Sequence, residues 1–326
     1  MRRLIWIVAV LTALYGGYWV VGSRAALSGA EAALAQLKAE GAADYADVSI
    51  AGFPSRFDIT VTDPAFRAER TDWGWRADFL QILALSYRPN HIILVLPDRQ
   101  DLDTPSGPAT LTGTGFRASA VFGANTDLPL DHAQAVGETL RIAGTGWAAS
   151  AGALRAAIRR APDGPANAYD LALDLPGIAP EDGLADTLAP LADAPGATGQ
   201  VVLRARVTLD GPLDRTGTAR RITGLDLTEA TVFWGKVDAS ASGALAIDAD
   251  GVPEGRITLT ARNWEPILNF AADRGLIDPR TAPTLAAMLT QLALASGDPG
   301  TLSIPLVLAG GRMSLGPLPL GPAPRF

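Results

Sequence analysis

Leu203-Arg204-Ala205-Arg206-Val207-Thr208-Leu209-Asp210 alternates apolar and polar side chains without a break. A period of two puts one set on one face of a strand and the other set on the opposite face. The same alternation recurs on both sides of this stretch. Ile59 and Val61 alternate with Thr60 and Thr62, and Leu171, Leu173 and Leu175 with Ala172 and Asp174. Further on, Ile257, Leu259 and Ala261 alternate with Thr258, Thr260 and Arg262, and Leu302, Ile304, Leu306 and Leu308 share one face. Strands with one apolar and one polar face belong to antiparallel sheet that buries one side.

Turn residues punctuate these strands. Asp248-Ala-Asp-Gly251 separates Leu245 and Ile247 from Ile257 and Leu259, and Gly310-Gly311 separates the 302–308 strand from Met313 and Leu315. Both are hairpin signals, and strands at this spacing predict a meander rather than βαβ units. Two stretches break the period. Trp264 to Asp273 groups Ile267, Leu268 and Phe270, and Thr281 to Ala295 carries Leu285, Leu289, Leu292 and Leu294 with Pro283 in its first turn. Asp278-Pro279 lies between them. They read as a helix pair laid on the apolar sheet face. The Pro-, Ala-, Asp- and Gly-rich residues 176–199 are read as the boundary between two β-rich halves, with a short helix near Glu181 to Leu191.

At the N-terminus the pattern changes altogether. Arg2-Arg3 precede a nearly unbroken apolar run, Leu4 to Val21, closed by Gly22, Ser23 and Arg24. At ~1.5 Å per residue such a helix nearly crosses a ~30 Å hydrocarbon core. Trp6 near one end and Tyr15, Tyr18 and Trp19 near the other suit the two bilayer interfaces. A cleaved signal has a shorter core and a small-residue cleavage site, whereas Ser23-Arg24-Ala25-Ala26 carries a charge. The run therefore reads as an uncleaved signal anchor. The positive flank at Arg2 and Arg3 sets the N-terminus in the cytoplasm and residues 25–326 outside it. Residues 25–41 continue as helix, with Ser28 and Glu31 as a capping box and Gly41 as the stop.

The resulting expectation is a mainly β protein with some α. An N-terminal transmembrane helix precedes a long, curved antiparallel sheet with helices packed on it. Its parts are the anchor 1–24, a stalk helix 25–45, a first β-rich half 46–180, and a second half 181–326 with the helix pair near 264–295. The chain has no cysteine, which excludes thiol chemistry and disulfides. Its net charge of −7 lacks the basic stripe that nucleic acid requires.

Motifs for chemistry are weak. Gly113-Thr-Gly-Phe-Arg-Ala118 and Gly144-Thr-Gly-Trp-Ala-Ala149 match a dinucleotide fingerprint, but Phe116 to Phe122 reads as strand. The second copy would open a helix over Ala148 to Arg160 but lacks a βαβ context. Asp98, Asp101 and Asp103, like Asp248 and Asp250, lack the remaining ligands of a calcium loop and read as solvated turns. His91 and His132 sit in no metal-ligand motif, and Ser150 lies in a degraded nucleophile elbow. Trp73, Trp75, Trp147, Trp234 and Trp264 read as core and helix–sheet packing rather than as a ligand stripe. No catalytic, cofactor-binding or metal-ligating residue is assigned, and no cofactor is expected.

Several segments resemble a bacterial envelope family, domain-of-unknown-function family 2125. They are Gly52-Phe-Pro-Ser-Arg-Phe-Asp58, Ser86-Tyr-Arg-Pro-Asn-His91, and Gly251 to Asn263 followed by the helix pair and Met313-Ser-Leu-Gly-Pro-Leu-Pro-Leu320. The resemblance covers nearly the whole chain and implies an anchored extracytoplasmic protein, with no catalytic residues to carry over. The ending is also similar, more weakly, to AsmA-like envelope proteins, which implies a role in holding lipid along a curved sheet face. The expected function is thus a periplasmic, inner-membrane-anchored protein that binds lipid or another envelope component on its apolar face, and not an enzyme. The alternative is a structural or assembly scaffold with a closed core. Expected partners are the inner membrane through residues 4–21 and a lipid or envelope protein, with no nucleic acid.

Overall fold

The structure is a computed structural model that describes residues 2–68, 72–216, 220–275, 277, 278, 280, 282–295, 298–316 and 318–325. Pro279, Thr281 and Pro317, which the sequence reading placed in a loop, at a helix start and in the C-terminal motif, lie outside the described residues. The chain divides into two compact bodies, Met1–Leu128 with Ala133–Thr145, and Pro129–His132 with Gly146–Phe326.

The first body begins with α1 (Arg2–Ala39), one unbroken helix of 38 residues in which the apolar run and the following helical stretch are a single element. It ends where Gly41 takes φ +75° and Ala42 N–H reaches Leu37 O at 2.9 Å. Short strands follow: β1 (Ala43–Asp44), β2 (Asp47–Ala51), β3 (Arg56–Thr62), β4 (Ala65–Arg67), β5 (Gly74–Ala77), β6 (Phe79–Leu85), β7 (Arg88–Val95) and β8 (Arg99–Thr104). The long β9 (Gly107–Phe122) comes next, then β10 (Leu130–Gly144), whose residues from Ala133 belong to this body. Strand β9 organises the body. Its first half pairs with β8, which continues through β5 and β4 to β1. Its second half pairs with β7, which continues through β6 and β3 to β2. All these pairings are antiparallel.

Helix α1 is docked on this body by the two hairpin tips that carry the first two family-like motifs. Tyr15 Oη lies 3.2 Å from Ser86 Oγ, Tyr18 Oη donates to Ser86 O at 2.7 Å, and Trp19 Nε1 donates to Arg56 O at 2.8 Å. Trp19 meets Phe53 edge-on at 5.3 Å and lies over Phe57 at 6.2 Å. Gly22 passes so close to the buried Phe57 that a Cβ there would stand 2.8 Å from the ring. At the other end of the helix, Lys38 pairs with Asp44 of β1 at 2.7 Å. One end of the body therefore lies by residues 15–22 of the helix and the other by its C-terminus.

The second body is a meander: β11 (Trp147–Arg160), β12 (Ala168–Glu181), α2 (Asp182–Leu188) with a 3-10 turn (Ala189–Leu191), β13 (Gly199–Leu209), β14 (Ile222–Trp234), β15 (Val237–Ile247), β16 (Pro253–Arg262), α3 (Glu265–Asp273), α4 (Ala282–Ala295), β17 (Thr301–Ala309), β18 (Arg312–Leu315) and β19 (Leu318–Pro322). Consecutive strands from β11 to β19 pair antiparallel. The Pro-, Ala-, Asp- and Gly-rich residues 176–199 lie inside this body. They end β12, form α2, which packs back on β11 and β12, and lead into β13. Ala148 to Arg160, which the sequence would open as a helix, is strand throughout β11. Its Ala, Leu and Arg residues favour helix intrinsically, but pairing with β12 over Ala148–Ser150 and Arg155–Arg160 overrides that preference.

Candidate functional site: an apolar cavity under a helix pair

Register makes one face of the second body continuously apolar. Leu173 stands opposite Leu203, Leu203 opposite Ala230, Ala230 opposite Ala241, Ala241 opposite Leu259, and Leu259 opposite Ile304. The neighbouring row runs Leu175, Val201, Val232, Ala239, Ala261, Leu302. A bulge between Leu227 and Ala230 keeps β14 in step, shifting its inward residues from odd to even numbers.

The opposite face is charged. Asp170 stands across from Arg206 on one side and Arg159 on the other. It accepts from Arg206 Nε at 2.7 Å and from Arg159 at 3.2 Å. Hydrogen bonding to Arg206, reinforced by Arg159, holds the Asp170 carboxyl below the usual carboxylate range. Arg204 reaches both oxygens of Asp174 at 2.9 and 2.8 Å. This sheet has only one face suited to burial.

Helices α3 and α4 roof part of that face. Trp264, Leu289, Ala293, Leu302 and Ile304 form the buried cluster where α4 meets β17, with Leu268 and Leu285 packed against it. Helix α3 also touches the 3-10 turn after α2, and Arg274 donates to Thr187 O. Between roof and floor lies a cavity of about 700 Å³. Its floor comes from β12 to β19 and its roof from Ile267, Leu268, Ala271, Leu285 and Leu289. No charged residue lines it, and Thr231, Ser240 and Thr260, which fall between the two apolar rows, turn their hydroxyls to the other face. It is open to solvent, since Val232 is 41% and Leu259 36% exposed. Trp264 also lines it. Its indole Nε1 is buried without a hydrogen-bond partner among the described residues.

The motifs singled out in the sequence lie elsewhere. Gly113 to Ala118 is interior to β9, and Gly113 and Gly137 are packed against the ring of Phe116. These glycines serve a close approach within sheet. Gly146 takes φ +78° in the turn that opens β11, and Ser150 is a strand residue of β11. Asp101 and Asp103 pair with Arg99 and Arg76. Asp248 folds its own turn, accepting from the N–H groups of Asp250 and Val252. His91 bonds Ser119 at 2.9 Å within the first body, and His132 bonds its neighbour Asp131 at 2.8 Å in the second. Among the described residues no group of three or more His, Asp or Glu is placed to hold a metal ion. Trp75 bonds Gln100 and Trp234 bonds Ala197 O, while Trp73 is exposed.

The cavity itself was not legible as a site. Its lining is drawn from eight strands and two helices. The sequence signal for it is the small Ala230, Ala239, Ala241 and Ala261 under the roof.

No curated protein matches the chain, and no solved structure does. A family model described as "Uncharacterized protein conserved in bacteria (DUF2125)" matches residues 19–324, from the aromatic end of the apolar run to the last strand. Among the described residues the one helix long and apolar enough to cross a membrane is α1, and with that helix and its antiparallel sheet the chain belongs to the uncharacterised bacterial family DUF2125.

Proposed function

We propose that this protein is held in the inner membrane by α1, stands on the periplasmic side, and binds the acyl chain of a lipid or similar amphiphile in the cavity beneath α3 and α4. The observation that carries the reading is the lining. A partly open space of about 700 Å³ with no charged wall residue falls in the ~300–1,000 Å³ range of small-molecule sites and suits a hydrocarbon occupant. Such a face in water needs covering. The lining contains no His, Asp, Glu, Lys or Arg, which fits binding rather than acid–base or nucleophilic catalysis. Arg2 and Arg3 before the apolar run support the periplasmic orientation.

The test is binding of cis-parinaric acid to the full chain in detergent, followed by fluorescence, with Ala230→Trp as the blocking variant. Saturable binding that Ala230→Trp abolishes, in a variant with unchanged circular dichroism, supports the reading. Equal binding by both proteins, or none by either, overturns it.

A further inference from the structure

We propose that the two hairpin tips clasping α1, Gly52 to Ser55 and Ser86-Tyr87, dip into the outer interface of the bilayer that α1 spans. The first body would then sit flush on the membrane rather than on a stalk. The inference rests on the reading of α1 as a membrane span and follows from where the clasp falls along it. Spanning a ~30 Å hydrocarbon core takes about 20 helical residues. The bare part of α1 below the clasp, Leu4 to Leu14, supplies about 16 Å at ~1.5 Å per residue. That is roughly half the core. The apolar run must continue to about Val21 to reach the far interface, yet the clasp already holds Tyr15, Tyr18 and Trp19. The tips therefore lie within the depth that the bilayer has to occupy.

Their composition suits that depth. Phe53 is 61% and Tyr87 65% exposed, an unusual placement for aromatic rings in a water-facing turn. Tyr18 is 51% exposed beside them. Aromatic side chains favour the headgroup region, and Arg56 and Arg88, both exposed at the tips, can reach phosphates. The polar backbone of the tips is largely occupied, as buried backbone near lipid must be. Ser86 O and Arg56 O accept from the helix, Ser86 N–H reaches Ser55 O, and Arg56 N–H reaches Gly52 O.

The native chain has no cysteine, so single cysteines can be labelled with an environment-sensitive fluorophore in the full chain. The probes are Ser55→Cys and Tyr87→Cys at the tips, Leu11→Cys in the span, and Gln36→Cys near the far end of α1. Each is reconstituted in phosphatidylcholine–phosphatidylglycerol vesicles doped with spin-labelled lipid, shallow or deep. Loss of fluorescence to the shallow quencher at positions 55 and 87, to the deep one at 11, and to neither at 36 supports the proposal. Quenching at 11 with positions 55 and 87 as unquenched as 36 overturns the insertion while leaving the anchor standing. No quenching at 11 overturns the anchor and the insertion with it.

Discussion

Replacing Trp264 with phenylalanine separates what that side chain does for the fold from what it does for a ligand. The ring is 4% exposed in the cluster joining α3, α4 and β17, so truncation to alanine would cost about 3–5 kcal/mol. Phenylalanine keeps most of the ring and deletes the N–H. A buried donor without a partner costs about 1–3 kcal/mol, and its removal returns that amount. The smaller ring gives up roughly one to two methylenes' worth of burial, at about 0.8 kcal/mol each. The two effects oppose and nearly cancel, so the ligand-free Trp264→Phe protein should lie within about 1–2 kcal/mol of wild type. Binding should barely move. Nε1 exposes almost no surface to the cavity, so affinity should change by less than about twofold, roughly 0.4 kcal/mol. Denaturant unfolding of the full chain in detergent reads the first quantity and cis-parinaric acid titration the second. A Trp264→Phe protein as unstable as Trp264→Ala would show that the N–H is satisfied in the fold, and the assigned role of this indole would fall.

Other perturbations test other parts of the structure. Gly243 has φ +148°, and a Cβ there would stand 2.2 Å from Arg256 O; Gly243→Ala should lower stability by at least about 1–3 kcal/mol in denaturant melts. Gly22→Leu adds about 1 kcal/mol of helix propensity but drives a side chain into Phe57. Helicity should persist while hydrogen exchange at the Arg56 end of β3 accelerates; unchanged protection there would refute the clasp. The Asp170 carboxyl is held low in the folded protein by Arg206 and Arg159, so its contribution is present above the unfolded value of about 4 and is lost as pH falls through the lower folded value. Asp170→Asn should therefore be less stable than wild type near neutrality, with the gap closing as the medium is acidified below about pH 4 in a pH series of melts.

The sequence disclosed those strands whose faces differ. Leu203 to Asp210 and Ile257 to Arg262 are read at sight because one side packs and the other meets water or an ion pair. The Asp248 and Gly310-Gly311 turns were legible for the same kind of reason, since both glycines of the latter need φ above zero. Strand β14 was not legible, because its bulge changes the parity of the inward residues between Leu227 and Ala230. Strand β11 was hidden by residues that favour helix in isolation; β9 was legible from Phe116 to Phe122, and its first half was masked by glycines that answer to Phe116 and not to phosphate. The clasp on α1 was legible as two unexplained motifs but not as a contact. Nothing local says that Ser86 will meet Tyr15 and Tyr18 across some 70 residues of chain.

The cavity follows from a mismatch of sizes. Strands β12 to β19 make seven spacings of ~4.8 Å, about 34 Å of floor. Two helices side by side, each ~10 Å across, cover about 20 Å. Part of the floor is left without a roof, and large side chains could have closed the gap from below. Instead the floor carries the small Ala230, Ala239, Ala241 and Ala261. A scaffold would tolerate their enlargement and gain from it, since filling a void commonly stabilises by about 0.5–2 kcal/mol. A binding protein would gain the same stability and lose its ligand. Ala241→Leu therefore discriminates between the two. A rise in the melting temperature of the full chain with cis-parinaric acid binding reduced tenfold or more, on the order of 1.4 kcal/mol, marks the cavity as the site. The same rise with binding intact would return the closed-core scaffold as the better account of this fold.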